Sequence, residues 1–133
     1  DVAREFGADS CRIYELFMGP FTQGAAWSTK GLRGCFRFLN RVWRLKDKIT
    51  RKKTDDQDLT RLLHQTIKKV TEDIENFKFN TAVAQMMILV NEMERKREIS
   101  QKDFGLFLRL LAPFAPHLSE ELWSRLGHKT SIF

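Results

Sequence analysis

The clearest alternation of apolar and polar positions in this chain lies over residues 29–50. Read as a helix, with about 100° between successive residues, this segment gathers its apolar side chains on one side. Those side chains belong to Leu32, Cys35, Phe36, Leu39, Val42, Trp43 and Ile49. The opposite side carries mainly cations. The pattern therefore predicts an amphipathic helix with one buried face and one exposed, basic face.

Helical spacing recurs along most of the chain, and no strand pattern is convincing. Besides the 29–50 helix, the pattern predicts helices over 2–6, 9–18, 56–76, 80–95, 100–111 and 117–126. Residues 21–27 are short and irregular, and an edge strand remains open there. The repetition of helices and short loops predicts an all-α fold, an antiparallel helical bundle preceded by a short helical segment.

Capping residues indicate where these helices should begin and end. Gly7 suits the left-handed position that ends a helix, and Asp9 can cap the helix that follows. Ser28 and Asn80 are placed to cap the helices after them, and Ser100 begins a pattern similar to a capping box. The loop before Asn80 holds two aromatic residues, which we expect to plug the end of the bundle. They are Phe77 and Phe79.

Positive charge is concentrated in one part of the chain. Residues 30–53 contain ten basic residues and one acidic residue, a net charge of +9, whereas the whole chain carries +6. On the 29–50 helix, five cations share roughly 80° of arc with no acidic residue among them. They are Arg33, Arg37, Arg41, Arg44 and Lys48. Such an arginine-rich row is typical of a surface that contacts phosphate groups, although an ordinary solvated face gives a similar pattern.

The remaining composition excludes several classes of protein. No apolar run approaches the roughly 20 residues of a membrane-spanning helix, and no signal-peptide pattern opens the chain. Cys11 and Cys35 occupy apolar positions and are expected to be buried thiols. Without metal-ligand spacing, a nucleophile–base motif or a glycine-rich phosphate loop, no metal, cofactor or catalytic residue is predicted here. The ends, at Asp1 and Phe133, favour a piece of a longer chain.

Several motifs, in one order along nearly the whole chain, carry a family resemblance. They are Gly7-Ala8-Asp9, Phe17-Met18-Gly19-Pro20, Ala26-Trp27-Ser28, Arg37-Phe38-Leu39-Asn40-Arg41-Val42-Trp43-Arg44-Leu45, Phe79-Asn80-Thr81-Ala82 and Ala112-Pro113-Phe114-Ala115-Pro116-His117-Leu118-Ser119-Glu120-Glu121-Leu122-Trp123. With them the chain resembles the leucyl-tRNA synthetases, which are class I aminoacyl-tRNA synthetases. The Met-Gly-Pro and Phe-Leu-Asn-Arg-Val-Trp motifs favour the leucine enzyme. The alternative is the equivalent domain of an isoleucyl- or valyl-tRNA synthetase.

The resemblance implies a position within a larger enzyme. Residues 1–27 are similar to the stem-contact segment at the end of the catalytic core, 28–126 to the helical anticodon-binding domain, and 127–133 to the start of a linker to a C-terminal domain. Both adenylate-forming signatures, of the His-Ile-Gly-His and Lys-Met-Ser-Lys-Ser types, are missing from the sequence. The parent is therefore expected to be a cytoplasmic leucine–tRNA ligase that uses ATP and Mg²⁺, and this chain alone is expected to be inactive.

The implied role is to dock the body of leucine tRNAs while the catalytic domain of the same chain leucylates them. The expected tRNA contacts are Arg37 and Arg41, extended by Arg33, Arg44 and Lys48. Because an RNA duplex hides its bases in a deep, narrow groove, such a row would contact phosphates and shape. Two other interpretations remain open: a helical spacer between synthetase domains, and a binder of acidic proteins or membrane surfaces. Since the apolar face has other helices to pack against, no membrane partner is expected.

Overall fold

The structure, a computed structural model, describes residues 2–18 and 29–133. These residues form six helices: α1 (Val2–Met18), α2 (Thr29–Arg44), α3 (Gln57–Glu75), α4 (Phe79–Arg95), α5 (Gln101–Leu111) and α6 (Pro116–Arg125). A 3₁₀ turn (Leu45–Lys48) follows α2, and two short strands, β1 (Ile49–Thr50) and β2 (Ile99–Ser100), pair in parallel. The predicted all-α fold is confirmed.

One core holds the helices together. α3 and α4 form an antiparallel pair, α1 packs against α2, α4 and α6, and α5 packs against α3 and α6. The stripe at helical spacing on α4 is fully buried at Met86, Val90 and Met93, and α5 adds Phe104 and Phe107. Burial of each such side chain contributes about 1.5–3 kcal/mol. The same apolar stripes that predicted the helices therefore make the bundle.

The parallel ladder between β1 and β2 was not expected from the sequence. Ile49 lies opposite Ile99, and Thr50 lies opposite Ser100. Two residues in each strand are too few for the alternation that predicts a strand. The ladder brings the segment that leaves α2 beside the N-terminus of α5, and Ile99 is fully buried there.

The first helix is longer than predicted. Separate helices over 2–6 and 9–18 are wrong, because α1 runs without a break through Gly7. A glycine inside a helix costs only about 1 kcal/mol relative to alanine, which the surrounding turns and packing outweigh. Gly7 is therefore not a stop signal in this context.

Asp9 caps a helix, but not the one predicted. Its carboxylate, which is 1% exposed, accepts hydrogen bonds from the backbone N–H groups of His117 (3.3 Å) and Leu118 (2.7 Å). The Nδ1 atom of His117 lies 2.9 Å from the same carboxylate. Since these N–H groups belong to the first turn of α6 and have no partner within it, Asp9 fastens α1 to α6.

The basic helix is shorter than predicted. α2 ends at Arg44 rather than near residue 50, and the chain then makes a 3₁₀ turn with three residues per turn instead of 3.6. At Ile49 the backbone is extended, with a ψ of 130°, because β1 pairs there with β2. Lys48 therefore does not lie in helical register with the arginines of α2.

The loop between α3 and α4 differs from the prediction in two details. Phe79 does close the end of the bundle, with its ring edge-on to Phe114 and the ring centres 6.3 Å apart. Phe77, in contrast, is 81% exposed and has a φ of 57°. Because α4 begins at Phe79, Lys78 and not Asn80 occupies the capping position, without a side-chain cap bond.

Two other helix starts are capped by side chains. At the start of α5, the Ser100 hydroxyl accepts from the backbone N–H of Asp103 at 3.1 Å, as the sequence predicted. At the start of α3, the Asp56 carboxylate accepts from the backbone N–H of Leu59 at 3.0 Å. Each cap contributes about 1 kcal/mol to helix stability.

Both cysteines are free thiols. Cys35 is buried, and burial raises the pKa of its thiol, whereas Cys11 is only half-buried. The possible strand over 21–27 and the cap at Ser28 lie outside the described residues.

Candidate nucleic-acid interface

α2 presents three of its arginines away from the core because most of its apolar residues lie on the opposite side. Phe36, which the pattern placed on the buried face, is 38% exposed. Cys35, Phe38, Leu39 and Val42 are all buried. On the other side, three arginines are exposed: Arg33, Arg37 and Arg44. Within residues 2–18 and 29–133, none of these three makes an ion pair or a hydrogen bond through its guanidinium group.

Arg41, by contrast, is used within the fold. Its Nε donates to the two carboxylate oxygens of Glu94 at 3.1 Å each, and its guanidinium also donates to the side-chain oxygen of Asn91. The hydrogen bonds from Arg41 lower the pKa of the Glu94 carboxyl, against the opposing effect of burial. This bidentate pair fastens α2 to the last turn of α4.

Lys48 contacts the same end of α4. Its Nζ donates to the main-chain carbonyl oxygens of Glu94 and Lys96, at 2.5 and 2.8 Å. The last carbonyls of a helix have no partner within it, and a cation there also interacts favourably with the helix dipole. Lys48 therefore stabilises the C-terminus of α4.

The structure thus divides the predicted row into two sets. Arg33, Arg37 and Arg44 are exposed, whereas Arg41 and Lys48 are half-buried and hydrogen-bonded to α4. That the residues of either set contact tRNA stays a prediction. In the exposed set, like charges one turn apart repel one another by a few tenths of a kcal/mol. A bound phosphate group would remove that repulsion.

Sequence reasoning missed a cluster around Trp43, at the end of α2. The Lys46 Nζ lies 4.5 Å from the centre of the Trp43 ring, and the guanidinium carbon of Arg125 lies 4.8 Å from it. Because Trp43 and Lys46 are three residues apart, their contact could have been predicted from helical spacing. The contact of Arg125 could not, because α6 brings this residue to Trp43 from far along the chain. The contact of Arg125 holds the end of α2 against α6, whereas that of Lys46 is local to the turn after α2.

The described residues offer neither a metal site nor a membrane span. In the part of the chain that the structure describes, no three histidine, cysteine or acidic side chains are grouped so that they could hold a metal ion. None of the described helices has both the length and the apolar character needed to cross a membrane. The exposed face of α2 can bind anions, both by its positive charge and by hydrogen bonds from its guanidinium groups.

Comparison with known proteins identifies the family. Residues 56–133 match the family model described as the anticodon-binding domain of tRNA ligase. The chain belongs to this family. The match includes α3, α4, α5 and α6, and the arginines of α2 lie just before it.

Curated relatives of this anticodon-binding domain are leucine–tRNA ligases. The chain is 50% identical over 133 residues to the leucine–tRNA ligase of Borrelia turicatae (strain 91E135), and equally to that of Borrelia hermsii (strain HS1 / DAH). Each alignment covers 100% of this chain and 16% of the relative. The chain therefore spans about one sixth of the length of the curated relatives it matches.

A solved structure is similar over almost the whole chain. It is the crystal structure of the ternary complex of Agrobacterium radiobacter K84 agnB2 LeuRS with tRNA and LeuAMS. The similarity has a TM-score of 0.80 at 34% sequence identity and covers 98% of this chain and 20% of that chain. The similarity therefore extends to α1 and α2, which precede the family match.

Proposed function

We propose that this chain is the tRNA-docking domain of a leucine–tRNA ligase, and that the exposed arginines of α2 contact the phosphate backbone of leucine tRNAs. The observation that carries the proposal is the row of Arg33, Arg37 and Arg44, which are exposed and lack ion pairs among the described residues. Support comes from relatives that are leucine–tRNA ligases, and from a similar structure that is a LeuRS in a complex with tRNA.

The arginine row suits an RNA backbone in length and in chemistry. From Arg33 to Arg44, α2 rises by about 16 Å at 1.5 Å per residue, which is enough to pass several phosphates. A guanidinium group can donate two parallel hydrogen bonds to one phosphate, which an ammonium group cannot do. Because the bases of an RNA duplex are hidden in its deep groove, these contacts would position the tRNA and would not read its sequence.

The proposal extends to the parent enzyme. Residues 1–27 would end its catalytic core, 28–126 would dock tRNA, and 127–133 would lead towards a C-terminal domain. Ile13 and Tyr14 of α1 belong to the same core as α2, so docking and catalytic segments would move as one body. The catalytic domain would leucylate the tRNA in the cytoplasm with ATP and Mg²⁺. This chain, without the adenylate-forming signatures, would be inactive alone.

The test separates tRNA binding from leucine activation. In a full-length leucine–tRNA ligase that carries this sequence, Arg33→Gln with Arg37→Gln should raise the KM for tRNA several-fold. Leucine-dependent ATP–pyrophosphate exchange should stay unchanged, since that reaction requires no tRNA. Glutamine keeps the aliphatic part of the side chain and removes the charge together with the guanidinium donors.

A matched control removes two exposed arginines elsewhere. Arg61→Gln with Arg97→Gln changes the net charge equally, and both side chains lie outside α2. The control should leave both reactions unchanged. An unchanged KM for tRNA in the α2 variant would favour the helical spacer instead, and equal losses in both reactions would indicate misfolding.

A further inference from the structure

A second group of cations lies around a surface depression between the segment after β1 and the start of α5. The depression has a volume of about 450 Å³. Four exposed basic residues line it: Arg51, Lys52, Lys53 and Lys102. We call these four residues the α5 basic surface. The parallel ladder creates this surface. Because β1 pairs with β2, Arg51, which follows β1, and Lys102, in the first turn of α5, lie around the same depression.

The charge of the α5 basic surface is not neutralised by protein groups. Throughout the described ranges, none of its four side chains forms an ion pair or a hydrogen bond. Asp103, the acidic residue among those that line the depression, is 8% exposed. Four cations therefore face solvent above one nearly buried carboxylate, and their mutual repulsion favours binding of an anion.

The adjoining surface shows that this chain pairs its cations where carboxylates are available. Thr54 lines both the α5 basic surface and a neighbouring depression that is rich in acidic residues. In that neighbour, the Lys96 Nζ lies 3.0 Å from an Asp56 oxygen and 3.4 Å from a Glu92 oxygen. Four acidic residues line that neighbour beside Lys96 and Arg97, whereas Asp103 is the one acidic residue, among those described, that lines the depression at α5. Carboxylates available for pairing are therefore concentrated on one side of Thr54.

The α5 basic surface shares no residue with the arginines of α2. Arg41 and Lys48 are hydrogen-bonded to the end of α4, and Lys96, which follows that end, pairs with Asp56 in the acidic depression. On its other side the surface continues, through Arg51 and Gln101, to a third depression near Lys46 and Arg125. Those last two cations already pair, with Asp47 at 3.7 Å and Glu121 at 3.1 Å.

We propose that the α5 basic surface is a second docking site for the RNA backbone. This inference rests on the proposed function and extends it from one face of the domain to two. The lining of the depression includes four cations, three hydroxyl groups and the amide of Gln101, which bind phosphate and ribose. Among the described residues, His64 is the aromatic side chain that lines it, and no Phe, Tyr or Trp does. Two distinct basic surfaces fix the orientation of the tRNA as well as its affinity.

The test measures how tRNA binding depends on salt. Each phosphate neutralised by the protein contributes about −0.9 to the slope of log affinity against log salt concentration. A leucine tRNA transcript is titrated with the 133-residue chain at several salt concentrations. Arg51→Gln with Lys102→Gln should make the slope shallower by about 2.

A control with the same change of charge is available. Lys78→Gln with Arg97→Gln also removes one lysine and one arginine, both exposed and both outside the α5 basic surface. The control should change the slope by less than about 0.5. Lys53→Gln, a single change in the segment between β1 and α3, should make the slope shallower by about 0.9 and cannot disturb the start of α5. Circular dichroism of each variant checks that the helices remain.

The outcomes separate this inference from the function on which it rests. Arg33→Gln with Arg37→Gln is measured in parallel. If that α2 variant makes the slope shallower and the α5 variants match the control, the second site is refuted and the proposed function stands. If neither affects the slope, both proposals fail. Binding of the chain to vesicles of anionic phospholipid but not to tRNA would also overturn the second site, in favour of a membrane surface.

Discussion

At the scale of single residues, the ion pair between Arg41 and Glu94 makes part of the stability of the fold depend on pH. Hydrogen bonds from Arg41 lower the pKa of Glu94 in the folded chain, although burial opposes this. A carboxyl with a lowered pKa stabilises the folded state above its unfolded pKa. That stabilisation is lost as the pH falls through the folded pKa.

We therefore expect Glu94→Gln to lower the free energy of unfolding at neutral pH and not in acid. Because the side chains of Arg41 and Glu94 are 33% and 39% exposed, solvent screening limits the loss at pH 7. It should be roughly 0.5–1 kcal/mol. The loss should shrink as the pH falls through the lowered pKa of Glu94. Urea denaturation at pH 7, 5 and 3 measures it, with the exposed Glu75→Gln as control. An equal loss at pH 3 would refute this role of the ion pair.

The Asp9 carboxylate makes a second contact that single substitutions can test. Asp9→Ala leaves the backbone N–H groups of His117 and Leu118 without their acceptor at the buried start of α6. We expect a loss of about 2–3 kcal/mol in the free energy of unfolding. Asp9→Asn keeps an oxygen acceptor and should lose clearly less. Chemical denaturation compares the two variants, and equal losses would mean that the hydrogen bonds to α6 are not the cause.

At the scale of elements, the loop between α3 and α4 contains a strained residue. Phe77 is exposed with a φ of 57°, a conformation that costs a residue with a Cβ atom about 1–2 kcal/mol. Asparagine tolerates this conformation better. Phe77→Asn should therefore raise the free energy of unfolding by about 0.5–1 kcal/mol.

Phe77→Ala is the control for that prediction. Alanine removes the aromatic ring, including its edge contact with Phe79 at 6.1 Å between ring centres, but lacks the polar side chain by which asparagine tolerates a positive φ. It should bring no gain in stability. If thermal unfolding shows the same change for both variants, relief of the backbone strain is not the reason.

The ends of elements were less predictable than the elements themselves. Apolar stripes at helical spacing predicted the helices because each stripe must be buried. The end of α2 at Arg44 depends instead on the pairing of Ile49 with Ile99. These two residues are far apart in the sequence, and no local pattern predicts their contact. Similarly, Gly7 does not interrupt α1, because packing outweighs its local preference, and the partners of Asp9 lie about a hundred residues away.

For the candidate site, too, the sequence predicted which residues share a helix face but not which distant residues they contact. Sequence spacing indicates correctly that Arg33 and Arg37 are exposed on α2, because residues four apart share a face of a helix. It could not show that Arg41 is held by Glu94, which lies 53 positions further along the chain. Nor could it show that Lys102 would stand beside Arg51, since only the parallel ladder brings them together.

At the scale of the whole molecule, the distribution of positive charge over the surface determines what the domain can bind. The chain carries +6 overall, and seven of the cations that form no ion pair among the described residues lie on the exposed side of α2 and on the α5 basic surface. A long polyanion such as tRNA can contact both surfaces, whereas a small anion can contact only one. Affinity for RNA should therefore be strongly dependent on salt and weakly dependent on sequence.

The salt dependence of tRNA binding shows whether the arginines of α2 contact phosphates. We expect Arg33→Gln with Arg37→Gln to make the slope of log affinity against log salt shallower by about 2. Helical content should be unchanged, and the Arg61→Gln with Arg97→Gln control should keep the original slope. A leucine tRNA and a tRNA for another amino acid should show similar slopes, because phosphates are contacted in both. If the slope of the α2 variant equals that of the unsubstituted chain, the arginines of α2 are only a solvated face and the account is contradicted.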